Sequence, residues 1–205
     1  VEFPILPTDT SVGVMERREH RAESASVRRL LTPERIVVYG NGDRIQGLID
    51  SMLRGGFRGE VAAVATDGRE IAGISNASSI GALPGRLDLA LVSVPTSQLG
   101  AVVIDAAHKG VHGIVVLTGT DYAAGDNHQI INLARAYGIR ALGPDALGVI
   151  NTLPTVQLNG TPGPMPRIGG VGLFCQSAAV GVALLNHAVR HDVGLSSFIS
   201  TGDYA

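Results

Sequence analysis

Arg35-Ile36-Val37-Val38-Tyr39-Gly40-Asn41-Gly42-Asp43-Arg44-Ile45-Gln46-Gly47 sets a β-branched run against three glycines and then an apolar-periodic segment. That is the order of a buried parallel strand, a tight loop and a helix N-terminus. Such a junction turns backbone N–H groups and the positive end of a helix dipole toward a phosphate. Gly40 and Gly42 would let the backbone approach a pyrophosphate, and Arg44 could add charge. The spacing is GxGxxxxG, not the GxGxxG dinucleotide fingerprint, so a tight turn with no ligand fits the same letters.

Outward from this loop, strand and helix patterns alternate. Strands are expected at 36–39, 61–66, 87–94, 113–117 and 139–142. Helices are expected at 45–54, 97–109 and 127–137, with a weak turn near 78–83. The strand segments are apolar without alternation, as in a sheet covered on both faces, which is the parallel arrangement. Gly55-Gly56, Gly110 and Gly138 follow the helical segments where left-handed caps belong. Residues 33–152 therefore read as a doubly wound α/β domain.

The flanks read differently. Val1-Glu2-Phe3-Pro4-Ile5-Leu6 suggests a short strand, and residues 16–29 a charge-dense helix with i,i+3 and i,i+4 pairs of opposite sign. A solvated linker helix is the simpler reading of that segment, and a basic docking surface the other. Residues 1–32 are thus taken as the tail of a preceding domain and a linker, and Val1 at the start as the mark of a longer protein. Pro154, Pro162, Pro164 and Pro166 make 153–166 read as a linker. A strand at 171–174, a helix at 177–191 and a strand at 195–200 follow. Three elements in about forty residues cannot close a core alone, so 167–205 is expected to be the start of a longer domain or to pack on a neighbour.

Composition narrows the function. The chain has 205 residues, 45% hydrophobic and 17% charged, with a formal charge of −2, which leaves no electrostatic footprint for nucleic acid. No apolar run approaches the roughly 18 residues of a membrane span. The single cysteine, Cys175, excludes an internal disulfide and fits a cytoplasmic setting.

Other candidates each have a plain alternative. Asp67 ends the second strand where an acid can bond a ribose hydroxyl, as in NAD-binding modules, yet Asp67-Gly68 is also a simple turn, which is the favoured reading. Arg69 is the nearby cation that could meet an extra phosphate. Val94-Pro95-Thr96 and Leu117-Thr118-Gly119-Thr120 end the third and fourth strands at the ligand-binding edge of such a sheet. Phe174-Cys175-Gln176-Ser177 is a second strand-to-helix junction. There Ser177 suits an N-cap, and a packed thiol is simpler than a nucleophile for Cys175. His187 and His191 are spaced i,i+4, but no third ligand accompanies them, so no metal is expected.

Three stretches carry a resemblance: Val37-Val38-Tyr39-Gly40, Lys109-Gly110-Val111-His112-Gly113-Ile114-Val115-Val116, and Gly143-Pro144-Asp145-Ala146-Leu147-Gly148-Val149-Ile150-Asn151-Thr152. They resemble the Rossmann-like CoA-binding domain of NDP-forming acyl-CoA synthetases, related to the α subunit of succinyl-CoA synthetase. Phe174-Cys175-Gln176-Ser177-Ala178-Ala179-Val180-Gly181 and Phe198-Ile199-Ser200-Thr201-Gly202-Asp203 resemble the opening of the flavodoxin-like ligase domain that follows it. Arg18-Glu19-His20-Arg21-Ala22-Glu23 resembles the joint in fusions with a GNAT acetyltransferase.

The resemblance implies a site for CoA or acyl-CoA, in a binding or sensing role. Gly40, Asn41, Gly42 and Arg44 would face the phosphates. Val94, Pro95, Thr118 and Gly119 would surround the nucleoside, with Gln176 and Ser177 at a second phosphate-facing helix. The family's phosphohistidine matches none of the histidines here, and its ATP-grasp part would be a separate domain or subunit, so no catalytic residue is assigned. The sequence also departs from the family. Its glycine–serine–proline loop segment is missing between Gly40 and Gly47, and its Asn-Pro-Lys after the second strand reads Ala65-Thr66-Asp67. Its asparagine and cysteine of the fifth-strand motif read Asp145 and Ala146, and a glycine of the second helix reads Ala178. A degenerate scaffold that binds no nucleotide, or an NAD-type module, are the rival readings.

Overall fold

The computed structural model describes residues 9–117 and 127–203. In chain order the elements are α1 (Asp9–Leu31), β1 (Arg35–Gly40), α2 (Gly42–Gly55), β2 (Glu60–Ala65), β3 (Ser75–Asn76), β4 (Leu89–Ser93), α3 (Thr96–His108) and β5 (Gly113–Leu117). There follow α4 (Asn127–Ala136), β6 (Arg140–Ala146), β7 (Val149–Asn151), β8 (Leu158–Asn159), β9 (Ile168–Cys175), α5 (Ala178–Arg190) and β10 (Leu195–Ser200). The expected helix over 16–29 lies inside α1. The strand expected at 1–6 lies outside the described residues, as do Thr118 and Gly119.

Six parallel strands make the first sheet in the order β3-β2-β1-β4-β5-β6. The order reverses beside β1, so the crevice at the carboxyl ends of β1 and β4 is the topological switch point. The strands are apolar because both faces are covered. Val37, Ala90, Val92, Ile114 and Val116 pack with Leu99, Val103 and Ile131 of α3 and α4. Ile36, Val38, Leu91 and Val115 pack with Ile45, Ile49 and Met52 of α2. Gly56, Gly110 and Gly138 carry φ of 79°, 74° and 71°, as the expected left-handed caps require. The Gly56 N–H donates to Leu53 O at 3.0 Å.

The second sheet is mixed, in the order β8-β7-β10-β9. β7 falls inside the stretch assigned to the first domain and pairs antiparallel with β10, Phe198 opposite Ile150. The proline-rich linker stretch 153–166 contains β8, which pairs with β7. Val149, Val156 and Leu158 join the core on the α2 side of the first sheet. Side chains supply the hydrogen bonds that prolines withhold. Thr161 Oγ1 donates to Asn159 Oδ1 at 2.8 Å, and Asn159 Nδ2 donates to Gly163 O at 3.0 Å. On the other face α5 closes a small core of Leu147, Ile150, Leu185, Leu195 and Phe198. The two sheets are further joined where the Gly143 N–H donates to Thr201 O at 2.7 Å and the Asp203 N–H to Pro144 O at 2.9 Å.

Phe198 is fully buried in that small core, whereas Phe174 on the edge strand is 65% exposed. Phe198→Ala should cost about 3–5 kcal/mol, and Phe174→Ala no more than about 0.5 kcal/mol, by urea denaturation.

Candidate functional site

The loop after β1 is built by a steric demand. A Cβ at Gly40 would sit 2.5 Å from Ser93 O on the neighbouring strand β4, so only glycine lets the chain leave the sheet here. Asn41 then caps α2, its Oδ1 accepting from the Asp43 N–H at 3.2 Å. Gly42 is buried at the positive end of α2. The third glycine behaves differently: a Cβ at Gly47 would meet nothing within 4 Å, so it is not a close-packing position.

Two arginines flank the loop. Arg44 reaches the crevice, with Nη1 donating to Ser93 Oγ at 3.4 Å. Arg69 forms an ion pair with Asp43, which pushes the guanidinium pKa further up, first through the hydrogen bond and then through attraction. Asp67 makes the turn its sequence favours. Its Oδ1 accepts from the Arg69 N–H at 3.2 Å, which makes the expected turn. Its Oδ2 also accepts from the Gly42 N–H at 3.3 Å. A carboxylate thus lies at the first turn of α2. Beside it opens a cavity of about 620 Å³, lined by Tyr39, Thr66, Arg69, Asn76, Ser78 and Gln98, a volume in the range of ligand sites. The Asp43–Arg69 pair had no signal in the sequence, since its members are 26 positions apart.

The remaining candidates are distributed along the same edge. Pro95 is exposed and stands at the N-cap of α3. Val94 is 1% exposed and packed in the core, so its side chain does not reach the surface. Gln176 and Ser177 are exposed at the N-terminus of α5, where Ser177 Oγ accepts from the Val180 N–H at 3.3 Å. They do not join the Gly40 loop. The Thr201 N–H donates to Cys175 O, and Thr201 O accepts from Gly143, which ties this helix to the end of β6. β6 lies three strands from β1. At about 4.8 Å per strand this is roughly 14 Å across the sheet. Burial pushes the Cys175 thiol up, and its Sγ lies 3.6 Å from Ser177 O, so it is a packed thiol. The rings of His187 and His191 stack with centroids 4.1 Å apart, and among the described residues no group of three His, Cys, Asp or Glu side chains could hold a metal. No helix among the described residues is long and apolar enough to cross a membrane.

Comparison with known proteins places this geometry. Residues 34–152 match the CoA binding domain family, and residues 168–205 match the succinyl-CoA ligase like flavodoxin domain. The α subunit of ADP-forming acetate–CoA ligase II from Pyrococcus furiosus is 31% identical over 152 residues, covering 72% of this chain and 33% of that protein. The α subunit of isoenzyme I from the same organism is 28% identical over 194 residues, covering 88% of this chain and 42% of that protein. The dinucleotide-forming acetyl-coenzyme A synthetase 1 of Ca. Korarchaeum cryptofilum, solved with phosphate and ADP, superposes with a TM-score of 0.78. It is 30% identical and covers 86% of this chain and 39% of that one. The chain therefore spans well under half the length of these relatives.

Two consequences of the site are measurable. Gly40→Ala drives a Cβ into backbone and should cost about 1–3 kcal/mol, whereas Gly47→Ala, in an open helix interior, should stabilise by about 0.5–1 kcal/mol, both by chemical denaturation. Asp145, at the junction of the sheets, is pushed above its ordinary carboxyl value of 3.8 by burial and then by Asp203. A raised acid disfavours folding once ionised. Asp145→Asn should therefore be the more stable protein at pH 7, by under about 1 kcal/mol because solvent screens the charge. The gap should narrow as pH falls through the raised folded value and vanish below the ordinary value of 3.8, where the carboxyl is neutral in both states.

Proposed function

The chain belongs to the CoA binding domain family through residues 34–152, and on that premise we propose that it holds CoA or an acyl-CoA across the crevice beside β1. The diphosphate would lie at the first turn of α2, against Gly40, Asn41, Gly42 and Arg44. The nucleoside would lie near Pro95 and the backbone of Val94, with Thr118 and Gly119 closing the site. Gln176 and Ser177 would face a second phosphate at α5. The observation that supports this most directly is Gly40. Its close approach to Ser93 O turns the chain at the switch point, where an extended nucleotide can meet the N-terminus of α2.

The reaction belongs to a longer protein than this chain. We place the chain as the CoA-binding or CoA-sensing part of a cytosolic NDP-forming acyl-CoA synthetase-like ligase, whose phosphate chemistry needs an ATP-grasp domain or subunit. Residues 1–32 then join residues 33–152 to a GNAT acetyltransferase, a reading supported by Arg18–Glu19–His20–Arg21 and by the exposed face of α1. Residues 167–205 begin the ligase domain. One observation favours a second reading, that of a scaffold or an NAD-type module: the Asp67 carboxylate already lies on the Gly42 N–H.

Thermal shift with CoA, acetyl-CoA, NAD and ADP separates these readings. A ligand at a hundredfold its Kd adds about 2.7 kcal/mol, a Tm rise of roughly 5–10 °C for a chain of this size. A rise with CoA species is the expected result. A rise with NAD alone supports the NAD-type module, and no rise with any of the four supports the scaffold.

A further inference from the structure

We propose that Asp67 is a specificity-determining residue that sets this site against a phosphate ester on the adenosine ribose, so that dephospho-CoA is preferred over CoA. The inference rests on the CoA reading above and narrows its ligand. In an open α/β sheet, a nucleotide whose diphosphate lies on the first helix places its adenosine ribose at the tip of the second strand. That tip is Asp67, two residues beyond β2. The register that pairs Gly40 with Ala65 brings its carboxylate beside the α2 N-terminus. The adjoining cavity of about 620 Å³ accommodates the base.

The charges around that tip leave little to receive an anion. Asp67 accepts from both Gly42 and Arg69 backbone N–H groups, which fixes its carboxylate at the strand tip. The guanidinium of Arg69 is directed onto Asp43. Glu70 lines the same cavity and adds a second negative charge. A ribose diol can donate to the Asp67 carboxylate, whereas a phosphate monoester dianion at the same point repels it. CoA carries that monoester on its adenosine ribose; dephospho-CoA and NAD carry a diol.

The test is calorimetric titration of the full chain with CoA and dephospho-CoA, for the wild type and for Asp67→Asn and Asp67→Lys. A carboxylate facing a dianion a few ångströms away at a solvated edge predicts that the wild type favours dephospho-CoA on the order of tenfold. Asp67→Asn keeps an oxygen for the Arg69 N–H and should bring the ratio close to one, and Asp67→Lys should invert it. Raising the salt concentration should shrink the wild-type ratio, a readout that needs no variant to fold. A wild type that binds CoA as tightly as dephospho-CoA, or a ratio unmoved by either substitution, overturns the role of Asp67 and leaves the CoA reading intact. Binding of neither compound to any of the three proteins overturns both.

Discussion

β1 is hydrogen-bonded on both edges and buried on both faces, and most of the molecule follows from that position. Its neighbours β2 and β4 pair with it in register from Ile36 to Gly40. No side chain can project where the strand ends, because Ser93 O of β4 closes against Gly40. The chain must turn there through a residue without a Cβ, and α2 must begin at once, capped by Asn41. The N-terminus of α2 is thereby held at the point where the sheet order reverses. A packing constraint inside the sheet thus sets where the N-terminus of α2 meets the sheet edge.

The face of the sheet that α2 leaves open is completed in an unusual way. Beside Leu30 of α1, β7 and β8 of the smaller sheet deliver Val149 and Leu158 to the core, and the turn between them delivers Val156. The smaller sheet in turn borrows its central pairing from β7, whose residues follow directly from β6. The core on the α2 side of the first sheet is therefore shared between the two sheets. The hydrogen bonds between Gly143 and Thr201, and between Asp203 and Pro144, hold the strand ends of the two together. An insertion or a cleavage within 153–166 would therefore disturb the first sheet as well as the second.

Much of this architecture was legible in the sequence, for a physical reason. Strands covered on both faces need apolar residues at successive positions, and 36–39, 61–66 and 113–117 have them. Helices that stop before a tight return need a residue at positive φ, and Gly56, Gly110 and Gly138 mark those stops. Other features were hidden for equally definite reasons. Prolines mark 153–166 as a linker, but composition cannot register that Asn159 and Thr161 supply hydrogen bonds from side chains. β8 spans only Leu158 and Asn159, too short for a pattern of period two to be seen. Val94 ends a strand, and only the structure shows that its side chain is buried in the core.

The candidate site divides along the same line. Local chemistry marks residues 40–47 as a strand–turn–helix junction, with Asn41 capping α2 through the N–H of its neighbour Asp43. What fills that junction was decided at long range. Asp67 lies 25 positions from Gly42, and the two meet only because β2 pairs parallel to β1 with Ala65 opposite Gly40. Arg69 and Asp43 are brought together by the same register. A linear sequence records which side chains are acidic and which are basic. Strand register decides which of them share one helix end, and so whether that end is offered to a ligand's phosphate or covered by the chain's own carboxylate.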